Sequence, residues 1–329
     1  MAKNKFIQIN RQEYSDRLDK VQFKTFFHET EWHKFLEKKF KWLRFEYYLY
    51  KNKNDEALLP IAIVGNKLIS LPFCEYGGAL RVKEFNLNEF NKDVLKEFGD
   101  NIKIKIHPWI SEISGNPPGA SSGLSSHWLH LENKSEQELW DSLRKTLRHE
   151  IRDAQERGLE IRRCKNQKEL KRFYDLYVAN LRRKRTVPCP WPLIQFLYKN
   201  APSELLLALY KGRIIGGDLF LKYGNFVHYF LSASDYKYRS FSASHLLLWE
   251  KIKSLIGKEV ILDLGASPRG SALEIFKRGW GGKEYPIYQI GIKRSEESLR
   301  SSKIIRFVWG LLPNFLIKKL SPYLIKYRI

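Results

Sequence analysis

Residues 263–282 read DLGASPRGSALEIFKRGWGG and combine the end of a strand, a turn and a short helix. The apolar residues 260–262 precede them and are typical of a buried strand. Asp263 and Gly265 then close that strand at the kind of position where open α/β sheets bind ligands. The stretch therefore predicts an α/β fold with a ligand site after this strand, although a plain turn is the simpler alternative.

Three side chains follow this turn and precede a cluster of glycines. Phe276, Lys277 and Arg278 place one aromatic ring and two cations beside backbone that can approach a ligand closely. Two cations in such a position suit a phosphate or a carboxylate group. We therefore predict that Arg278, with Asp263 and Gly265, contributes to substrate binding. The alternative is one core ring with two solvated charges.

Upstream of this stretch, the predicted elements occur twice in the same order. Trp32 and Trp191 each begin a helical pattern and are 159 positions apart, as are the Gly-Asn turns at 65–66 and 224–225. In both halves the helix is followed by a strand, a hairpin, a second helix and a final strand. The repeat predicts two similar α/β domains with mixed, mostly antiparallel sheets flanked by helices.

The domain boundaries follow from composition. We place the first domain at residues 1–126, the second at 127–292 with the donor site, and a C-terminal segment at 293–329. Residues 114–126 are rich in Ser, Gly and Pro, which predicts a linker or an exposed loop.

A long basic helix is predicted at the start of the second domain. Ser135 and Glu138 have the spacing of a capping box, and the helix they begin extends to about residue 157. Its apolar stripe leaves Arg148 and Arg152 on another face. We predict phosphate contacts for these two arginines, and for Arg183 and Arg185 in the run of four cations at 182–185. The alternative is a solvated surface on which nearby acids pair with the cations.

Composition limits the class of protein and of partner. Lys and Arg number 58 against 36 Asp and Glu, a formal net charge of +22, and 43% of residues are hydrophobic. A folded protein with this charge is expected to bind nucleic acid, an anionic membrane or a phosphorylated substrate, unless the charge is only solvated surface. Three cysteines far apart indicate neither disulfides nor a metal site. Without a signal-peptide pattern at the N-terminus, we predict a cytoplasmic protein.

The C-terminal residues 303–329 contain cations and apolar residues but no acid. This pattern predicts an amphipathic segment at an anionic membrane surface, with Trp309, Lys318 and Lys319 among the contacts. The protein would then be peripheral on the inner face of the cell membrane. The alternative is that the same apolar face docks on the body of the protein.

Short motifs over most of the chain resemble the Fem-type aminoacyltransferases and the wider FemAB-related group with a tandem GNAT-like fold. They are LPF at 71–73, YGG at 76–78, the helix from Trp140 to Gly158, Phe173–Tyr177, LWE at 248–250, DLG at 263–265, FK at 276–277 and GWG at 279–281.

The resemblance implies two GNAT-like domains and acyl transfer to an amino group. In the Fem enzymes the donor is an aminoacyl-tRNA and the acceptor is the peptide of a peptidoglycan precursor. The Phe-Lys pair of the family matches Phe276 and Lys277, so the resemblance implies that Lys277 stabilises negative charge near the reacting ester and that Phe276 packs against the aminoacyl group. The long helical arm of several tRNA-using members is absent here.

We therefore expect an acyltransferase that moves an aminoacyl or acyl group to an amine of a cell-envelope precursor, such as a lipid-linked peptidoglycan or polysaccharide intermediate. No bound cofactor or metal is expected, and the donor is aminoacyl-tRNA or acyl-CoA. The pyrophosphate loop of GNAT enzymes would lie at residues 236–244, which contain no glycine.

No residue of the sequence is an obvious general base. The acids nearest to the predicted site are Asp263 and Glu274, and a structural role is expected for Asp263. Two alternatives remain at this level: an acyl-CoA-dependent N-acyltransferase acting on an amino sugar, and a non-catalytic protein that binds nucleic acid or a lipid-linked glycan.

Overall fold

The computed structural model describes residues 5–53, 55–83, 86–114, 121–291 and 309–327. We refer to residues 5–114 as the first half and to residues 121–291 as the second half. The first half contains β1 (Phe6–Ile9), α1 (Arg11–Leu18), α2 (Thr30–Lys39), β2 (Leu43–Asn52), β3 (Asp55–Val64), β4 (Lys67–Ile69), β5 (Leu80–Arg81), α3 (Leu87–Phe98), β6 (Ile102–Lys105) and α4 (Pro108–Ser114).

The second half begins with a strand and has more helices. It contains β7 (Ser121–His130), α5 (Glu136–Ser142), α6 (Lys145–Glu156), β8 (Glu160–Arg163), α7 (Gln167–Arg183), α8 (Trp191–Asn200), β9 (Ser203–Tyr210), β10 (Arg213–Tyr223), β11 (Phe226–Ser234), α9 (Ala243–Leu255), β12 (Ile261–Asp263), β13 (Ser267–Pro268), α10 (Ala272–Arg278) and β14 (Lys283–Ile290). A last helix, α11 (Asn314–Leu324), follows.

The structure confirms the tandem α/β architecture predicted from the repeat. An offset of 159 residues places α2 on α8, β2 on β9, β3 on β10, β4 on β11, α3 on α9 and β6 on β12. The pairing repeats as well, because β4 is parallel to β6 and β11 is parallel to β12, whereas the hairpins before them are antiparallel.

The two halves share one sheet. Its strand order is β1-β2-β3-β4-β6-β14-β7-β12-β11-β10-β9-β8. Strand β14 comes from the end of the second half but pairs with β6 of the first half on one side and with β7 on the other. The predicted boundary between residues 126 and 127 falls within β7, and the division into domains stays a prediction.

Aromatic side chains pack at this junction. Trp128 of β7 lies against His107 of the first half with ring centroids 5.8 Å apart, and Phe226 of β11 meets Phe23 of the first half edge-on at 5.5 Å. A second contact joins the repeated helices, since Phe35 of α2 stacks on Phe196 of α8 at 3.9 Å. Because such pairs exclude water from both halves at once, we expect the halves to fold as one cooperative unit.

Two sequence-based predictions of local structure need correction. The linker predicted at 114–126 overlaps β7, which begins at Ser121 and buries the side chains of Ser125 and Ser126, and residues 115–120 of that prediction lie outside the described residues. The helix predicted from 136 to 157 begins with the expected capping box but breaks at Leu143, whose ψ of 143° is extended. Ser142 ends α5 by donating its hydroxyl to the Leu139 carbonyl.

The C-terminal helix docks on the body of the protein by one face. Ile317 and Ile325 are buried, and the Lys318 ammonium lies 2.6 Å from the Asp175 carboxylate of α7. Before this helix, Trp309 is buried and its indole N–H donates to the Thr186 carbonyl at 3.2 Å. Trp309 is therefore buried against protein, whereas Lys318 pairs with Asp175 and keeps 28% of its side chain exposed, and membrane contact by this segment stays a prediction.

The other face of this segment is open. Lys319 and the side chains of Leu311, Phe315 and Tyr323 are exposed. Residues 303–308 and 328–329 of the predicted amphipathic segment lie outside the described residues. Within the described ranges, no helix has both the length and the apolar character needed to span a bilayer.

Candidate active site between the two halves

The two parallel strands of the second half separate at their carboxyl ends. Strand β12 pairs with β11 only from Phe226 to His228, and the register matches His228 with Asp263. Beyond that point β11 continues to Ser234, whereas the chain after Asp263 turns away and β13 pairs with β7. The resulting fork exposes strand backbone that a ligand can reach, and it is the place where α/β sheets commonly bind substrates.

A cleft of about 330 Å³ opens at this fork and lies between the two halves. The second half contributes Phe230 and Leu231 of β11 and Ala266 beyond β12. The first half contributes the loop 69–75 and two cations of β6, Lys103 and Lys105. Residues from both halves are therefore needed to form the walls.

The first-half loop is held in an uncommon conformation. Leu71 and Phe73 have φ values of 53° and 68°, in the left-handed region that side chains other than glycine rarely adopt. Contacts that fix the loop include the Cys74 thiol, which donates to the Leu71 carbonyl at 2.9 Å, and the Gly77 N–H, which donates to the Lys105 carbonyl at 3.0 Å. Strain of this kind is often retained where a loop must present a side chain, and here the loop presents Glu75 to the cleft.

A row of titratable groups leads from the cleft into the interior. Glu75 accepts the Ala266 N–H through Oε2 at 2.5 Å, and the same oxygen is 3.6 Å from His228 Nε2. On the other side of the ring, His228 Nδ1 lies 2.8 Å from Asp263 Oδ2. Because the two carboxyl groups face opposite ring nitrogens, they do not converge on one point as metal ligands would.

The inner end of this row is firmly bonded. The second carboxyl oxygen of Asp263 accepts the Ser126 hydroxyl at 2.5 Å and the Gly265 N–H at 2.8 Å. Asp263 is fully buried, and Ser126 is too. The carboxyl group therefore keeps its orientation and fixes the plane of the His228 ring.

Burial governs the charges of this cluster. It lowers the pKa of His228 to about 3, with the nearby Lys277 acting in the same direction, so the imidazole is neutral. Burial also raises the pKa of Asp263 and lowers that of Lys277, although Glu75 and Asp263 both favour the charged lysine. The site thus holds a neutral histidine between two carboxyl groups at physiological pH.

The two side chains of the predicted Phe-Lys pair point in different directions, and only Lys277 lies at the fork. The Lys277 ammonium donates to the carbonyls of Gly265 and Ala266 at 2.8 and 3.0 Å and is almost fully buried. Lys277 therefore lies directly behind the cleft wall. Phe276 points away, toward His245 and Trp280, with ring centroids 5.2 and 6.1 Å distant.

The arginines predicted to bind substrate do not gather at the cleft. Arg278 is exposed and lies 3.8 Å from Glu274, and Arg148 lies 3.6 Å from Asp141. Arg152 sits over the Trp140 ring at 5.2 Å, and Arg183 over the Tyr236 ring at 3.5 Å. Arg185 follows α7 with a φ of 53°. None of the five is among the described residues that line the cleft.

Sequence reasoning did not single out Glu75 or His228. Glu75 lies between two motifs of the resemblance, at 71–73 and 76–78, but nothing in one sequence shows that this loop meets the fork of the other half. The signal for His228 was its place in the strand parallel to the one ending at Asp263. That register is visible only once the pairing of β11 and β12 is known.

Two further groups of the molecule are weaker candidates for a reactive centre. Cys74 lines the cleft, but burial raises the pKa of its thiol to about 12, so it is not a thiolate nucleophile at neutral pH. A second cavity, of about 570 Å³, lies beside β9 and α9. Its acid, Glu204, forms ion pairs with Lys251 and Arg163 and is neutralised by them. The fork between the halves is therefore the better candidate.

One known family model matches part of the chain. Residues 141–278 match the family model of the acetyltransferase (GNAT) domain, and this range includes His228, Asp263 and Lys277. No curated protein matches the sequence.

Solved structures share the fold over nearly the whole chain. FemX has a TM-score of 0.57 at 14% identity and covers 87% of this chain and 97% of its own. L-PGS from Bacillus licheniformis has a TM-score of 0.53 at 14% identity, covering 92% and 98%. The C-terminal domain of a putative lysylphosphatidylglycerol synthetase from Agrobacterium fabrum has a TM-score of 0.50 at 14% identity, covering 85% and 92%. The chain thus contains an acetyltransferase (GNAT) domain at residues 141–278 and shares its overall fold with these structures.

Proposed function

We propose that this GNAT-type acyltransferase moves an aminoacyl or acyl group from an activated donor to an amine of a cell-envelope precursor, such as a lipid-linked peptidoglycan or polysaccharide intermediate. The observation that carries the proposal is the cleft at the β11–β12 fork, which both halves line and which contains one acid and two cations. A cleft formed in this way can hold a donor and an acceptor side by side.

The reaction needs little chemistry from the protein beyond positioning and proton transfer. The amine nitrogen attacks the carbonyl carbon of an ester or thioester, the new C–N bond forms, and the C–O or C–S bond breaks. One proton leaves the nitrogen and one is taken up by the departing oxygen or sulfur. The protein must stabilise the oxyanion between these steps, and the buried Lys277 lies behind the cleft wall where its charge favours such an anion.

An aminoacyl donor is supported by the fold neighbours. FemX, L-PGS and a putative lysylphosphatidylglycerol synthetase share the fold, and the last name describes a product in which a lysyl group is joined to a phospholipid. The formal net charge of +22 would favour a polyanionic donor such as aminoacyl-tRNA. These similarities support an aminoacyl group as the group transferred and an envelope component as the acceptor.

An acyl-CoA donor, with an amino sugar as acceptor, is the second candidate because of one backbone feature. The loop where GNAT enzymes bind pyrophosphate contains no glycine, yet Ser242 directly before α9 has a φ of 50°, the left-handed conformation that glycine usually supplies. The turn into α9 is therefore formed without the glycine, and the helix N-terminus remains available to an anionic group.

We also propose that the protein acts at the inner face of the cell membrane as a cytoplasmic, peripheral protein. Support comes from the exposed side of the C-terminal segment, where Phe315 and Tyr323 are 67% and 70% exposed beside Lys319. Aromatic and cationic side chains on one face suit an anionic interface. Co-sedimentation of the full chain with anionic and with neutral vesicles tests this, because only anionic vesicles should retain the protein and Phe315→Ser with Tyr323→Ser should release it.

Transfer of label tests the proposed function. Purified protein is incubated with labelled aminoacyl-tRNA or with labelled acetyl-CoA, together with a bacterial membrane-lipid extract, and label is followed into lipid-linked product. Label from tRNA alone would support the aminoacyl form, and label from acetyl-CoA alone would support the second candidate. Absence of label with both donors would contradict the proposal and favour a non-catalytic binding role.

A further inference from the structure

We propose that Glu75, contributed by the first half, is the general base that takes the proton from the acceptor amine, and that His228 and Asp263 of the second half are positioning residues for it. The inference rests on the proposed acyl transfer and adds a residue to it. The amine nitrogen gives its proton to the Glu75 carboxylate as the C–N bond forms, and a proton returns to the leaving oxygen or sulfur as the C–O or C–S bond breaks.

The composition of the cleft points to this side chain. Among the described residues that line it, Glu75 is the one carboxylate, and Lys103 and Lys105 are the cations. The other titratable groups of this described lining are thiols, and that of Cys74 stays protonated. A carboxylate at the cleft wall, 29% exposed, can reach an amine while its inner oxygen stays bonded to protein.

The contacts of Glu75 fix the position of its carboxylate. Its Oε2 atom accepts the Ala266 N–H, and a Cβ atom at Gly265 would lie 2.4 Å from the same oxygen. Gly265 also has a φ of 77°, so the chain uses glycine both for its conformation and to leave room for the carboxylate. The glycine of the DLG motif is thus explained by the presence of Glu75 from the other half.

His228 lies behind Glu75 and can stabilise the protonated form of the Glu75 carboxyl group. With its proton on Nδ1, directed at Asp263 2.8 Å away, the neutral ring presents a lone pair at Nε2 toward Glu75. The proton arrives on the outer oxygen of Glu75, and a half-turn of the carboxyl group brings that O–H to the position of Oε2, where it can donate to the lone pair across the 3.6 Å gap after a small movement. The interaction is made only after proton transfer, so it favours the step itself and not the resting state.

The position of Glu75 gives the first half a chemical role. The GNAT match covers residues 141–278 and thus excludes Glu75, while it includes both His228 and Asp263. The strained loop that carries Glu75 is tied to β6 through the Gly77–Lys105 hydrogen bond. The second half alone would accordingly lack its base, and the shared sheet holds the two parts of the site in register.

The alternative for Glu75 is a structural role as acceptor of the Ala266 N–H. Glu75→Gln separates the two roles, because the amide oxygen can still accept that N–H but the side chain no longer takes a proton. We expect kcat/KM to fall about 100-fold or more at neutral pH, within the range of about 10²–10⁴ known for general bases. The loss should shrink as pH rises, since the free amine fraction then grows without help from the protein.

Controls keep the test specific. Glu31→Gln changes an exposed glutamate of α2 that pairs with Lys34, and it should leave both rate and pH profile unchanged. His228→Gln should lower the rate and move the inflection of the profile without abolishing it. A Glu75→Gln profile of wild-type shape, reduced equally at every pH, would overturn the proposal in favour of the structural role.

The wild-type enzyme offers a test that does not depend on the folding of a variant. The pH profile of kcat/KM is measured with two acceptor amines of different basicity. If the base belongs to the protein, the lower inflection lies at the same pH in both profiles. An inflection that moves with the basicity of the amine would contradict the proposal. Should wild-type protein transfer label from neither donor, the proposed function fails, and that result is distinct from activity that persists in Glu75→Gln.

Discussion

Lys277 illustrates how one buried charge can serve structure and chemistry together. Its ammonium bonds two adjacent carbonyls behind the cleft wall, at Gly265 and Ala266. The backbone of Ala266 in turn donates to Glu75. A change at Lys277 should therefore reach the proposed base through two hydrogen bonds.

We predict that Lys277→Met lowers the free energy of unfolding by about 1–3 kcal/mol, because two buried carbonyls lose their donor. Activity should fall about 100-fold or more, as when a group that stabilises an oxyanion is removed. Chemical denaturation and label transfer measure the two effects. Lys34→Met, at an exposed position, is the matched control, and equal activity of both variants would contradict a role for Lys277.

Asp218 provides a prediction on the pH dependence of stability. It lies on β10, fully buried, and burial raises its pKa to about 8 against the lowering effect of Ser232 and Tyr229. The folded state thus holds a proton that the unfolded chain releases above about pH 4. Stability from this group is present at low pH and is lost as pH rises toward 8, by about 1.4 kcal/mol per pH unit.

We expect Asp218→Asn to flatten the fall in unfolding free energy between about pH 5 and 8, because the amide does not ionise. Urea denaturation at several pH values measures the slope. Asp16→Asn, at an exposed position of α1, controls for the substitution. An unchanged slope in Asp218→Asn would show that Asp218 does not hold this proton.

At the residue level, sequence reasoning reached only part of the site. Asp263, Gly265 and Lys277 were recognisable because they lie in one short stretch after an apolar strand, and the structure places all three at the fork. Glu75 and His228 were not recognisable, because their relation to Asp263 depends on pairing between distant segments. The five arginines were selected by charge, which does not reveal whether a side chain faces the cleft.

Strand β14 joins the two halves, because it pairs with β6 of the first half and with β7 of the second half. Its last residues pair with β6, and Gly291 directly after it has a φ of 75°. A Cβ atom there would lie 1.8 Å from the Ile102 carbonyl oxygen of β6. Glycine is therefore required for its conformation and for the close approach of two backbones.

We predict that Gly291→Ala costs about 3 kcal/mol or more, since backbone must move as well as adopt an unfavourable φ. Gly224→Ala is the matched control. Its φ of 53° is also left-handed, but no atom lies within 4 Å of the added Cβ, so a cost of about 1–2 kcal/mol is expected. Thermal unfolding compares the variants, and equal losses would show that the contact with β6 is not tight.

Elements defined by local signals were predicted well. The capping box of α5 and the Gly-Asn hairpins both follow from residues near each other in sequence. The break between α5 and α6 was missed, because Leu143 continues the apolar stripe while its backbone is extended. The insertion of β14 between β6 and β7 was missed as well, since strand order is decided by tertiary packing.

On the scale of the whole molecule, the repeat was the most informative feature of the sequence. It predicted two similar α/β units, and the structure joins them in one sheet with the parallel pairs β4–β6 and β11–β12 in equivalent positions. The fork between β11 and β12 lies against the loop 69–75, which follows β4 of the first pair. The cleft is a consequence of this arrangement, which explains why residues far apart in the sequence can act together.

Hydrogen exchange of the full chain, with and without donor, tests whether one site is built from both halves at the fork, as we claim. With whichever probe supplies label, acetyl-CoA or aminoacyl-tRNA, we predict slower exchange in the loop 69–75 of the first half and in residues 230–231 and 266–268 of the second. Protection confined to one half, or to residues 203–205 at the second cavity, would contradict the claim.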